Sequence, residues 1–142
     1  MATVLLDTTV ASLLHPRRSG STLRALYEPE MLGKTLAISF QTVAELWSWA
    51  EENQWGQKNR AGLEAFLARF VLVPYTSELA QTWARLMTHA RRVGRRLEAG
   101  DTWIAASAVL YDVPLLTNDK DFVGLEFQGL EVVCHADESA KA

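Results

Sequence analysis

Residues 100–122 read GDTWIAASAVLYDVPLLTNDKDF, and the reading of this stretch decides the fold. Asp101 to Tyr111 is rich in alanine and predicts a helix. Pro114 to Thr117 predicts a strand, which runs straight into Asn118-Asp119-Lys120-Asp121. A helix is thus followed by a strand that ends in acids. The same device stands at the other end of the chain. Thr3 to Leu6 is a short β-branched and apolar run, read as a buried strand, and it stops at Asp7.

Working outward, helical patterns cover Thr8–Leu14 (ended by Pro16), Ser21–Leu32 (Ser21 as N-cap), Gln41–Glu52, Asn59–Phe70 and Ser77–Val93. The last is capped by Thr76 or Ser77 and stopped by Gly94. Strand patterns cover Leu36–Ser39, Val71–Val73 and Leu130–Cys134. The polar residues from Asp137 to Ala142 are expected to fray. Alternating strands and helices predict a single α/β domain over 1–142, a sandwich around a mainly parallel sheet. In such sheets the functional crevice lies beyond the carboxyl ends of the strands. Distant parts of the chain therefore deliver carboxylates to one edge.

The bulk numbers narrow the classes. The chain has 142 residues, 49% hydrophobic and 22% charged, a balance that buries a core without disulfides. Cys134 is the single cysteine, which rules out an internal bridge and a cysteine-built zinc site, and suits a reducing compartment. The first residues lack a basic region and reach a charge at Asp7, and no uncharged apolar run is long enough to span a bilayer. A soluble cytoplasmic protein with no membrane role is the expectation. Net charge is −3, yet Arg85, Arg91, Arg92, Arg95 and Arg96 form a stripe without an acid. An acidic site beside a basic stripe suits an enzyme that holds cations and grips a polyanion.

Phosphodiester hydrolysis needs an activated water and compensation for charge growing on phosphate oxygens, and a divalent ion held by carboxylates provides both. Other nucleophile schemes fit badly. His15, His89 and His135 are scattered, no strand-to-helix elbow presents a serine, and there is no glycine-rich phosphate loop. Each acid alone has an ordinary explanation. Asp7 and Asp101 suit helix caps, Glu45 a solvated helix face, and Asp119 and Asp121 turns. Their combination carries the argument.

That combination resembles the PIN-domain nucleases, and among them the small VapC-type toxins of prokaryotic toxin–antitoxin pairs. The motifs are LLDTTVASLL (Leu5 to Leu14), ISFQTVAELWSWA (Ile38 to Ala50), the opening stretch Gly100 to Phe122, and LEVV (Leu130 to Val133). The resemblance implies a three-layer α/β/α sandwich. It implies catalytic acids at Asp7, Glu45, Asp101 and Asp119, and metal ligands at Asp7, Asp101, Asp119 and Asp121, with Thr117 orienting the site by hydrogen bonding. Thr9 stands where the family usually has Asn, and its hydroxyl is expected to serve water or Asp7 in the same orienting role. The implied activity is Mg²⁺- or Mn²⁺-dependent endonucleolytic cleavage of RNA that leaves 5′-phosphate and 3′-hydroxyl ends. The implied partners are a second copy in a homodimer and a cognate antitoxin.

Arg85, Arg92, Arg95 and Arg96 are read as RNA-phosphate contacts, against the alternatives of a solvated helix face or a surface for an acidic antitoxin segment. Trp47 and Trp103 are read as core, and Trp49 and Trp55 as exposed, suited to a dimer or antitoxin interface. A receiver-type phosphoacceptor would need an acidic pair at the first strand, and a D-x-D phosphatase an Asp at position 9, where Thr9 stands. The remaining alternatives are a non-catalytic PIN-like module that binds RNA or protein, and a housekeeping RNA-processing nuclease.

Overall fold

The computed structural model describes residues 2–18 and 20–141, with the backbone alone described at 139–141. Its elements follow the order β1 (Thr3–Leu6), α1 (Thr8–Ser12), α2 (Thr22–Met31), β2 (Thr35–Ser39), α3 (Phe40–Glu52), α4 (Gln57–Leu67), β3 (Val71–Val73), α5 (Ser77–Arg92), α6 (Ala99–Tyr111), β4 (Leu115–Thr117), β5 (Val132–Cys134) and α7 (Ala136–Lys141). Two 3-10 turns, Pro16–Arg18 and Lys120–Phe122, complete them.

The sheet is parallel throughout, in the order β3-β2-β1-β4-β5. β1 sits at its centre because Val4, Leu5 and Leu6 are all buried, which only a strand covered on both faces tolerates. Alternation along the strand then sorts the core. Leu5, Ala37 and Leu115 face α5 and α6, packing with Leu79, Leu86, Ile104 and Ala108. Val4, Leu6, Ile38 and Leu116 face the other way, onto Val10 of α1 and Tyr27 and Met31 of α2. The result is the expected three-layer sandwich. α3 and α4 close a third cluster around Leu46, Ala50, Leu63 and Phe66.

From β1 the chain builds β2 and β3 to one side and later returns to lay β4 and β5 on the other. The carboxyl ends of β1 and β4 therefore lie side by side where the winding reverses. Register sets their alignment. Leu6 pairs with Leu116, and the Asp7 amide donates to the Leu116 carbonyl at 3.0 Å, so the next residues, Asp7 and Thr117, emerge together.

Three expectations change. α6 starts at Ala99, with Glu98 in the capping position, so Asp101 lies inside the first turn and does not cap the helix. Its carboxylate is thereby left for other contacts, and the positive end of the helix favours a negative charge there. The segment from Asp137, expected to fray, continues the short helix α7, which packs against α2, and Asp137 pairs with Lys120 (Ala142 is outside the described residues). Trp55, expected at the surface, is only 7% exposed, because the turn after α3 folds it against Trp49 and His15 with the Arg17 guanidinium over its ring. Met31 and Met87 fill core gaps.

A candidate active site at the carboxyl edge of the sheet

Asp7 does two things at once. Its Oδ1 accepts from the Val10 amide at 2.8 Å and so caps α1. Its Oδ2 accepts from the Thr117 hydroxyl at 2.5 Å. Thr117, 1% exposed, also takes the Asp119 amide at 3.0 Å. One hydroxyl thus ties the acid after β1 to the acid after β4. Asp119 in turn accepts from the Asp121 amide at 2.9 Å through Oδ1, which shapes the 3-10 turn that carries Asp121.

Asp7, Asp101, Thr117 and Asp119 line one narrow cleft floored by Ile104, Leu115 and Phe122, with free space of about 10 Å³. That is the scale of a single water or ion. Asp101, Asp119 and Asp121 each bring a carboxylate oxygen within 4.8 Å of the others. Asp7 opens on the same cleft and stands outside this trio, its two oxygens accepting from Val10 and Thr117. Each oxygen retains a second lone pair for a further partner.

Glu45 reaches the site from α3. Its Oε1 accepts from the Thr8 hydroxyl at 2.7 Å, and the Thr42 hydroxyl lies 3.0 Å from that of Thr8. Its charge is felt at Asp101, whose carboxyl is pushed up to about 6 by burial and then by Asp119, Glu45, Glu98 and Asp7. Asp7 is likewise raised to about 6. Burial is the main cause and the Asp119 charge adds to it, against the opposing hydrogen bonds from Thr117 and Val10. Four acids from four elements thus form a cluster short of positive charge.

Sequence reasoning missed several supports. Tyr27 is fully buried under β4, and its hydroxyl lies 2.8 Å from the Thr117 carbonyl and 2.7 Å from Asn118 Oδ1 while accepting the His135 amide at 3.0 Å. Thr8, which opens α1, holds Glu45. A Cβ at Gly100 would stand 2.8 Å from Gln41 Nε2, so glycine lets α3 and α6 approach closely beside Asp101. None of these left a pattern in the sequence, since each acts across a long chain separation.

The residues around the cluster divide between solvent and contacts within the protein. Thr9 is exposed, and among the described residues its hydroxyl makes no hydrogen bond to Asp7, because the first turn of α1 directs it outward. Arg95 is engaged with the protein itself. Its guanidinium donates to the carbonyl oxygens of Asp121 and, at 2.9 Å, Val123. Arg85, Arg92 and Arg96 are exposed, Arg85 with a 3.2 Å bond to the Thr82 hydroxyl. Arg91, Arg95 and Arg96 line an open cleft of about 450 Å³ with Met87, Gly94 and Leu97.

A parallel sheet with acids converging at its reversal point defines a class, and the sequence profile of the PIN domain matches residues 4–128. The chain belongs to the PIN-domain family. Within it, 119 residues are 27% identical to ribonuclease VapC2 of Haemophilus influenzae, covering 84% of this chain and 88% of that protein. A shorter match, 41% over 54 residues, joins it to ribonuclease VapC5 of Mycobacterium tuberculosis, covering 38% of this chain and 40% of that one. Among solved structures, VapBC-5 of the VapBC toxin–antitoxin family from M. tuberculosis superposes with a TM-score of 0.68 at 28% identity, over 94% of this chain and 99% of that one. VapBC2 from Rickettsia felis, bound to a promoter DNA fragment, shares the fold at a TM-score of 0.76 and 21% identity, over 93% and 98%.

Proposed function

We propose that this chain, as one nuclease domain over 1–142, is a Mg²⁺- or Mn²⁺-dependent endoribonuclease and the toxin of a type II toxin–antitoxin pair. Its active centre is Asp7, Glu45, Asp101 and Asp119. The observation that carries the reading is the Thr117 hydroxyl, which binds Asp7 and the Asp119 turn to one ion-sized cleft. Relatives named ribonuclease VapC support the activity.

The donor set fits a hard divalent cation. It consists of carboxylate oxygens without sulfur or imidazole, and the raised carboxyls of Asp7 and Asp101 mark a cluster that lacks counter-charge. Asp101, Asp119 and Asp121, with Asp7, would hold it. When bound, such an ion polarises a phosphate oxygen and makes water a better nucleophile at neutral pH. Thr117 keeps Asp7 and Asp119 in register so that little reorganisation accompanies reaction. Thr8 engages Glu45 Oε1, which leaves Oε2 to take a proton from the attacking water. Arg85, Arg92 and Arg96 contact RNA phosphates beyond the scissile one. Cleavage leaves 5′-phosphate and 3′-hydroxyl ends.

The single cysteine, suited to a reducing compartment, supports action in the cytoplasm. Among the described residues no helix is long and apolar enough to cross a membrane. A cognate antitoxin blocks the site, a partner supported by neighbours solved as toxin–antitoxin complexes. A homodimer follows from the family resemblance. The test is RNA cleavage by purified, antitoxin-free protein with Mg²⁺ or Mn²⁺, with EDTA, and with Asp7→Asn. Metal-dependent cleavage that disappears in the variant is the expected result. Folded wild type that cuts none of several structured RNAs would favour a binding module.

A further inference from the structure

We propose that Arg95 is a positioning residue for the acidic turn, holding Asp119–Asp121 where their carboxylates meet that of Asp101. This rests on the reading of the acidic cluster as a cation site.

The backbone of Arg95 is itself anchored. α5 ends at Arg92, Gly94 turns the chain at φ +77°, and the Arg95 amide donates back to the Ala90 carbonyl at 2.8 Å. From this fixed base the guanidinium crosses to a segment 26 residues away and donates to the carbonyls of Asp121 and Val123. Gly124, at φ +78°, turns the chain beside it in a backbone conformation that favours glycine. The same connection continues into α6 and delivers Asp101 six residues later. Arg95 therefore stands at the joint of both arms of the cluster. It is covalently part of the arm that carries Asp101 and hydrogen-bonded to the arm that carries Asp119 and Asp121.

The side-chain type matters. Both bonds leave Nη2, whose two N–H groups are fixed in the guanidinium plane, whereas an ammonium on a flexible stem rotates freely and holds no such geometry. Both acceptors are main-chain oxygens, so Arg95 acts by fixing the turn and not by neutralising a carboxylate. Arg91 lines the same cleft with the same charge and serves as a matched control.

The experiment is a Mn²⁺ titration of the purified full chain, read by the electron paramagnetic resonance of free Mn²⁺, with amide hydrogen exchange over residues 119–125. The samples are wild type, Arg95→Ala, Arg95→Lys, Arg91→Ala and Asp119→Asn. Arg95→Ala should weaken Mn²⁺ binding about tenfold, the usual scale for losing a support behind a metal ligand. Exchange at Val123 and its neighbours should accelerate, Arg95→Lys should recover only part of the affinity, and Arg91→Ala should leave it unchanged. The salt slope of RNA binding should survive in Arg95→Ala, which a phosphate-contacting arginine would not allow. Wild-type Mn²⁺ affinity in Arg95→Ala, with Asp119→Asn weakened, overturns the positioning role and leaves the cation site standing. Unaltered binding in Asp119→Asn overturns the cation site and the proposal with it. Should Arg95→Ala fail to fold, Arg95→Lys decides: weakened binding with faster exchange supports the role, and wild-type values for both overturn it.

Discussion

Asp7→Asn should stabilise the metal-free protein while destroying its activity. Burial and the neighbouring Asp119 lift the Asp7 carboxyl from 3.8 to about 6 in the folded chain. Ionising it there costs roughly 3 kcal/mol more than in the unfolded chain. Between these values the folded state holds a proton that the unfolded state has released. Stability without metal is therefore fullest below about pH 4 and falls as pH rises through 6. Asparagine resembles the protonated acid in shape, remains a good cap for the Val10 amide, and carries no charge. It disrupts the hydrogen bond from Thr117, at a cost of about 1 kcal/mol. The balance is a gain near 2 kcal/mol at pH 8, roughly 4–8 °C in melting temperature for a chain of this size. The assay is thermal unfolding in EDTA at pH 4 and pH 8. The variant should melt higher at pH 8, the gain should vanish at pH 4, and Mn²⁺ should raise the midpoint of wild type far more than that of the variant. A variant that melts lower than wild type at pH 8 in EDTA would refute the reasoning and make Asp7 a stabilising cap.

Asp101→Asn and Asp119→Asn should each reduce RNA cleavage at least a hundredfold, with far-ultraviolet circular dichroism unchanged, since each removes a charge without changing shape. Tyr27→Phe strands the His135 amide and loses the contact with the Thr117 carbonyl; urea unfolding should show a loss of about 1–3 kcal/mol. Arg92→Ala and Arg96→Ala should each lower the salt slope of RNA binding by about one, measured with a cleavage-inactive variant. Gly100→Ala should displace the Gln41 side chain and lower turnover while leaving the melting temperature within a few degrees, as single-turnover kinetics and calorimetry would report.

The site raises stability and function together as one electrostatic question. Carboxylates delivered by β1, α3, α6 and the turn after β4 repel one another, and the fold offers them backbone amides and hydroxyls in place of cations. On the proposed reading a divalent cation would relieve that repulsion, so occupancy and folding should be linked.

Much of this was legible in the chain. Short apolar runs stopping at Asp7 and leading to Asp119, separated by helical patterns, dictate parallel strands with acids at one edge, because a strand buried on both faces must be apolar until it leaves the sheet. Gly94 and Thr76 mark the ends of α5 by local backbone chemistry, and both act as read. What lay beyond the sequence depends on contacts between residues distant in the chain. Only the pairing of β1 with β4 brings Thr117 to Asp7, across 110 residues. Only the packing of α6 settles that Asp101 sits inside a helix and not at its cap, and only the turn after β4 gives Arg95 its two carbonyls in place of a phosphate. Local propensity encodes periodicity and caps, whereas hydrogen bonds across the sheet edge exist only after register and packing are set.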